Sequence, residues 1–145
     1  MNWNLLSVFA FIGAVICVAC LVATGSLFGN GPISITIQVA AAILMVWARV
    51  KFGMRSFHAS ANPTQGGLVT SGPYRYIRHP IYAAILYFAW AGIAAHFSLR
   101  NVLIGVIASG MLALRLRGEE ILLQRVYPEY AVYARRTARV LPFVL

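Results

Sequence analysis

The chain has 145 residues, of which 61% are hydrophobic and only 10% are charged, a composition that excludes an ordinary soluble globular protein. Its net charge of +9 would suit nucleic acid, but every lysine and arginine except Arg100 lies at 49–78 or 115–139. Such clustering is typical of the positively charged side of a membrane protein, so we expect no nucleic-acid partner. We predict an all-α, polytopic integral membrane protein with a single domain, residues 1–145.

The first two predicted membrane spans occupy residues 5–28 and 33–52. Each is an apolar segment of about the 20 residues that a bilayer requires. Between them, Gly29-Asn30-Gly31-Pro32 predicts a tight turn. Gln38 lies within the second span, where we expect it to hydrogen-bond to another helix. The two cysteines lie in the first span without metal-ligand spacing to other residues, so we predict no metal site.

A polar interruption separates these spans from the next two. Residues 62–67 predict a loop, and the segment 70–84 that follows has more functional side chains than a turn requires. Its turn needs only residues 71–73. Titratable groups at membrane depth are costly, which makes the remaining ones candidates for a functional site. They are Arg75, Arg78, His79 and Tyr82.

The third and fourth predicted spans, at 80–97 and 99–117, are joined by a very short connection. Two helices joined so closely should form an antiparallel helical hairpin. Small residues recur at helical spacing in both segments and would allow the helices to approach closely. These residues are Ala91 and Ala95 in the third span, and Gly105, Ser109 and Ala113 in the fourth.

Two of the three acidic residues of the chain, Glu119 and Glu120, are adjacent at the end of the fourth span. Arg115 precedes Glu119 by four residues, so the two share a helix face. An ordinary ion pair at a helix end would explain this spacing. A functional role is favoured because the hairpin should bring the pair close to Arg78 and His79.

The chain after residue 117 predicts a cytoplasmic amphipathic helix that breaks at Pro128. Tyr130 and Tyr133 lie one turn apart after the break. The charge distribution places the 49–79 loop, the 115–145 tail and both termini on the cytoplasmic side of the membrane. The basic clusters should also attract the headgroups of membrane lipids.

The residue types of this region limit the ligand. A carboxylate pair beside arginine and histidine can hold a zwitterion, and tyrosine rings can stabilise an onium cation. No P-loop is present, and a Ser-His-Asp triad is impossible because the chain has no aspartate. S-adenosylmethionine, which combines a zwitterion, a sulfonium and an adenine, is compatible with what remains.

Four motifs follow one another in the order seen in a known family. They are Leu68-Val-Thr-Ser-Gly-Pro-Tyr74, Arg78-His-Pro-x-Tyr82, Arg115-x-x-x-Glu-Glu120 and Tyr130-x-x-Tyr133. Over residues 66–142 the chain resembles the isoprenylcysteine carboxyl methyltransferase family and the related phospholipid N-methyltransferases, whereas the first two spans match only in hydropathy. It departs from the family at Ala84, where glycine is frequent, and before Tyr130, where the tail is one residue shorter.

The resemblance implies that S-adenosylmethionine binds between the motif regions 66–84 and 115–142. The implied cofactor-binding residues are Gly67, Leu68, Val69, Tyr74, His79, Pro80, Ile81, Tyr82 and Glu119. The implied catalytic residues are Arg115, facing the methyl acceptor, and Glu120. A carboxylate acceptor needs no base, and Arg115 would orient it by a bidentate contact. An amine acceptor must lose a proton, for which Glu120 would be the base.

The acceptor itself stays open. The resemblance favours a lipophilic carboxylate that enters from the bilayer, with phospholipid N-methylation as the alternative. Two further alternatives are a relative of the NADPH-dependent sterol reductases, which share a similar Arg-His-Pro region, and a non-catalytic membrane scaffold. The predicted site lies at the cytoplasmic face of the membrane.

Overall fold

A computed structural model describes residues 3–53 and 67–141 of the chain. The five α-helices of this part are α1 (Trp3–Ala23), α2 (Pro32–Phe52), α3 (Pro80–Ala95), α4 (Leu99–Val126) and α5 (Tyr130–Arg136). A 3₁₀ helix, Gly72–Arg75, precedes α3. The described residues contain no strand, only an isolated parallel bridge, so the all-α prediction is confirmed for them. The predicted loop at 62–67, except Gly67, lies outside the described residues, as does residue 142 at the end of the motif region 115–142.

Within the described part of the chain, three helices are long and apolar enough to cross a membrane, at Leu5–Ala23, Pro32–Phe52 and Leu99–Val126. α3 is also apolar but has only 16 residues, about 24 Å at 1.5 Å per residue, which is less than the hydrocarbon thickness of about 30 Å. Three of the four predicted spans are therefore confirmed by length and composition, and the predicted third span, at 80–97, is not. Large apolar side chains such as Ile33 and Val50 are exposed on the helix surfaces, as expected of a membrane protein.

Two predicted boundaries are corrected. α1 ends at Ala23 rather than at residue 28, because Gly25 adopts a φ of +65° and turns the chain. α4 continues past residue 117 to Val126 as one helix of 28 residues. The charged residues after 114 stay helical, and the chain meets no helix breaker before Pro128. The predicted separate amphipathic helix after residue 117 is therefore not confirmed, whereas the break at Pro128 is confirmed.

The helices pack mainly in two pairs, α1 with α4 and α2 with α3. The predicted close hairpin of α3 and α4 is not confirmed, because these helices share fewer contacts with each other than with their main partners. Gly92 of α3 faces the turn after α1, where an added Cβ would lie 2.0 Å from the carbonyl oxygen of Leu27. α3 and α4 approach each other at Gly105, where an added Cβ would meet the side chains of Trp90 and Ile93.

An apolar cluster of Leu21, Leu27, Ala89 and Ile93 joins the end of α1, the following turn and the end of α3. Gln38 anchors the turn from α2. Its Nε2 donates to the carbonyl oxygens of Leu27 and Phe88, at 2.7 and 3.0 Å, and its Oε1 accepts from the Gly29 amide at 3.0 Å. The prediction that Gln38 bonds to another helix is confirmed by the contact with Phe88 of α3.

Replacing Gln38 by leucine is expected to lower the free energy of unfolding by about 2–3 kcal/mol, because buried backbone groups lose their partners. Thermal unfolding of the purified protein in detergent measures the change. Gln124→Leu, at an exposed position, is the matched control. Equal melting temperatures for the two variants would contradict the anchoring role of Gln38.

The apolar cluster lies at one end of the helices, and the sequence motifs meet at the other. An added Cβ at Gly72 would contact Lys51 near the end of α2, and the Tyr74 ring stacks on Phe52 at 5.6 Å between centroids. Arg115 of α4 reaches Ser7 near the start of α1. The start of α1, the end of α2, the start of α3 and the last turns of α4 are therefore neighbours.

Candidate active site

The chain enters α3 through a segment that is pinned to the C-terminal tail. The amide of Arg78 donates to the carbonyl of Ala138 at 2.7 Å, and the amide of His79 donates to that of Arg139 at 3.1 Å. Pro80 is the first residue of α3, a position where its missing N–H costs nothing. The first of these backbone hydrogen bonds belongs to the parallel bridge between Ile77 and Ala138. Together they fix the backbone from which the His79 side chain and the first turn of α3 project.

Glu119 is held by side chains from α3 and α4. The Tyr82 hydroxyl donates to Glu119 Oε1, and Nη2 of Arg115 lies 3.2 Å from the same oxygen. Nε of Arg115 also donates to the Tyr82 hydroxyl oxygen at 2.6 Å. Nδ1 of His79 lies 3.8 Å from Glu119 Oε2. We call Tyr82, Arg115 and Glu119 the Glu119 triad.

Glu120 lies among three basic side chains. Oε1 is 3.1 Å from Nε of Arg78 and 3.3 Å from Nε2 of His79, and Oε2 is 3.3 Å from Nε of Arg139. Nη1 of Arg78 also donates to the carbonyl of Ala134 and, at 2.5 Å, to that of Thr137. The predicted meeting of the acidic pair with Arg78 and His79 is confirmed, and the His79 ring lies between the two glutamates.

Tyrosines surround this polar centre. The Tyr133 hydroxyl donates to the Tyr74 carbonyl at 2.7 Å, which ties α5 to the segment before α3. Burial raises the pKa of Tyr133 to about 12, so the hydroxyl keeps its proton. Burial also raises the pKa of Tyr74, with further contributions from Tyr133 and Glu119. The Tyr130 ring is buried and lies edge-on to that of Tyr133.

α1 also contributes to the site. Nη1 of Arg115 donates to the Ser7 carbonyl at 3.3 Å and to its Oγ at 3.2 Å. The guanidinium carbon lies 4.8 Å from the centroid of the Phe11 ring and 5.8 Å from that of Tyr82, within the range of cation–π attraction. Arg115 thus joins α1, α3 and α4 at one buried point.

The predicted site residues divide into two groups. His79, Tyr82, Arg115, Glu119 and Glu120 are in direct contact with one another. The others lie along the chain that leads into this centre: Gly67 at a φ of +81°, half-buried Leu68 and Val69, buried Tyr74 and Pro80, and half-buried Ile81. The role of every residue in cofactor binding stays a prediction.

The sequence reasoning missed Ser7, Phe11, Thr137 and Arg139. Ser7 is a polar residue in an apolar segment, which is its only signal in the sequence. Phe11 gives none, since phenylalanine is ordinary in a membrane span. Thr137 and Arg139 become neighbours of the site through the backbone bridge between Ile77 and Ala138.

The donor set suits a zwitterionic, cationic ligand. Two carboxylates and the guanidinium groups of Arg78, Arg115 and Arg139 provide both charges within a few ångströms, and the His79 ring lies between the carboxylates. The Glu119 side chain is 19% exposed and that of Glu120 is 10% exposed, so Glu119 is the more accessible acid. The residues therefore fit the amino-acid part and the sulfonium of S-adenosylmethionine. No group of metal-ligating side chains occurs within residues 3–53 and 67–141.

These features define a helical membrane protein with a buried polar site at one end of its helices. Residues 33–125, more than half of the chain, match the isoprenylcysteine carboxyl methyltransferase family. The chain belongs to this family, as the motifs predicted, and membership implies a membrane methyltransferase. Searches of curated proteins and of solved structures found no match. α1 and α5 lie outside the matched residues.

Proposed function

We propose that the protein transfers a methyl group from S-adenosylmethionine to the carboxylate of a lipophilic acceptor. The observation that carries the proposal is the convergence of His79, the Glu119 triad and Glu120 from separate parts of a family member's chain. The bound cofactor supplies a methyl carbon that is already activated by its sulfonium. The protein then has to align the two reactants and exclude water.

We assign cofactor binding to the segment before α3 and the first turn of that helix, together with Glu119. The residues are Gly67, Leu68, Val69, Tyr74, His79, Pro80, Ile81, Tyr82 and Glu119. Tyr82 and Arg115 hold the Glu119 carboxylate in a fixed orientation. This carboxylate would bind the ammonium group of the cofactor. The aromatic rings nearby provide faces for a cation.

We assign Arg115 to the acceptor side of the site. Its side chain is 4% exposed, so a carboxylate beside it would be shielded from water. Charge-assisted hydrogen bonds are strong in such surroundings. A carboxylate is nucleophilic in its ionised form and needs no general base. Arg115 then orients the acceptor oxygen towards the methyl carbon.

The position of Glu120 favours a carboxylate over an amine acceptor. An amine would need Glu120 as its base, but this carboxylate is engaged by Arg78, His79 and Arg139. Its release from them would cost ion pairs that also hold the tail. Phospholipid N-methylation is the alternative function, and it would require Glu120 to leave these ion pairs and act as the base.

We also propose that the site faces the cytoplasm and that the acceptor arrives through the bilayer. Arg49 and Lys51 lie at the site end of α2, whereas Arg100 lies at the opposite end of the bundle, and basic residues concentrate on the cytoplasmic side of membrane proteins. The apolar helix surfaces are compatible with a lipid-soluble acceptor.

Transfer of labelled methyl from S-adenosylmethionine to a membrane extract tests the proposal. We expect the label in a lipophilic product from which mild base releases methanol, because methyl esters hydrolyse under these conditions. Base-stable label would identify an amine acceptor instead. Melting temperatures with S-adenosylhomocysteine and with NADPH separate the other classes: a reductase responds to NADPH, and a scaffold to neither.

A further inference from the structure

α1 is the helix for which the sequence offers no function. It contains no motif, and it lies outside the residues that match the family. Its buried face nevertheless begins with Ser7, which is 1% exposed, and continues through Ala10, Ala14 and Leu21 towards the far end. This face packs on α4, the helix of Arg115 and the two glutamates.

Ser7 connects α1 to the site through two oxygen atoms. Its Oγ accepts a hydrogen bond from Arg115, as does its carbonyl oxygen. Ser109 also accepts from a neighbouring helix, from Nε1 of Trp90 at 3.1 Å, but the donor that Ser7 engages is an arginine of the polar centre. This residue therefore links two helices at the site.

Phe11 lies one turn after Ser7, on the same face of α1. Its ring lies against the guanidinium of Arg115, while the Tyr82 ring lies slightly farther away. Ser7, Phe11, Tyr82 and Glu119 therefore restrain both the position and the plane of the guanidinium. The two contacts from α1 come from a helix that carries neither Tyr82 nor Glu119, so they orient the guanidinium independently of those two partners.

We infer that Ser7 and Phe11 are positioning residues of the active site. They fix the Arg115 guanidinium, and through it the Tyr82 hydroxyl and the Glu119 carboxylate that receive the cofactor. The inference rests on the proposed function, because it assigns Tyr82 and Glu119 to cofactor binding. α1 is then a part of the site as well as a membrane span.

Affinity for S-adenosylhomocysteine, measured by calorimetry on the full chain in detergent, tests this inference. Ser7→Ala and Phe11→Leu are each expected to weaken binding about fivefold, from the loss of one hydrogen bond or one cation–π contact. Phe11→Tyr retains an aromatic face and should restore most of the affinity. The matched controls are Ser26→Ala, at a serine that is 4% exposed, and Phe9→Leu, at a side chain that is 67% exposed.

The outcomes separate this inference from the proposed function. Wild-type affinity in Ser7→Ala and Phe11→Leu would overturn the inference and leave the proposed function intact. So would a loss of affinity that follows a loss of melting temperature and is not restored by Phe11→Tyr, because α1 would then act only in folding. If the wild-type protein does not bind S-adenosylhomocysteine, the proposed function fails and the inference fails with it.

Discussion

Replacing Glu119 by glutamine is expected to weaken S-adenosylhomocysteine binding about a hundredfold and to abolish methyl transfer at ordinary cofactor concentrations. Glutamine keeps the shape of the side chain and can still accept a hydrogen bond from Tyr82. It loses the negative charge that faces Arg115 and, in the proposed function, the ammonium group of the cofactor. Hydrogen bonds to charged groups contribute about 1.5–3 kcal/mol, and about 2.7 kcal/mol corresponds to a hundredfold change in affinity.

Calorimetry on the purified protein and methyl transfer from labelled cofactor measure the two effects independently. Glu129→Gln is the matched control, since it removes a charge from an exposed residue just before α5. A melting temperature near that of the wild type would show that the variant is folded. Unchanged affinity in Glu119→Gln would remove this residue from the cofactor site, even if the protein proved to be a methyltransferase.

The polar centre could be predicted because burying charged or titratable side chains beside membrane spans costs free energy. Arg78, His79, Glu119 and Glu120 lie beside apolar segments, and a membrane protein rarely keeps such groups at that depth without pairing them. Glu119 and Glu120 are therefore expected to pair with the basic residues at the start of the third predicted span. The contacts of His79 with both glutamates agree with that expectation.

The packing partners of the helices could not be predicted in the same way. Lipid is as apolar as a leucine side chain, so hydropathy identifies spans without indicating which faces meet. The short connection between α3 and α4 suggested that these two would pack closely, but α3 packs mainly on α2. Gln38 of α2 contributes to this choice, since its side-chain amide donates to the carbonyl oxygen of Phe88 in α3.

Contacts between distant parts of the sequence were equally hidden. Ser7 and Arg115 are 108 positions apart, and an apolar segment gives no sign that one of its serines faces an arginine. The bridge between Ile77 and Ala138 joins the chain before α3 to the tail after α5. Both contacts depend on the packed bundle rather than on a local pattern of residues.

Replacing Arg78 by methionine is expected to lower the free energy of unfolding by about 3–5 kcal/mol, the cost of removing one partner from a buried ion pair. The Arg78 side chain is 5% exposed, and it donates to Glu120 and to the carbonyls of Ala134 and Thr137. Methionine fills a similar volume but donates to none of them. The loss should also loosen the tail, because Arg78 links Glu120 to the carbonyl oxygens at the end of α5.

Thermal unfolding and limited trypsin digestion measure the two consequences, since Arg135, Arg136 and Arg139 offer cleavage sites in the loosened segment. Arg75→Met, at an exposed arginine three residues earlier, is the matched control. Adding Glu120→Gln to Arg78→Met should cost less stability than Glu120→Gln alone, because the ion pair between the two residues is already lost. Wild-type melting and digestion in Arg78→Met would show that the Arg78 side chain does not hold the tail, since the backbone amide hydrogen bonds of residues 78 and 79 and the ion pair of Arg139 with Glu120 survive the substitution.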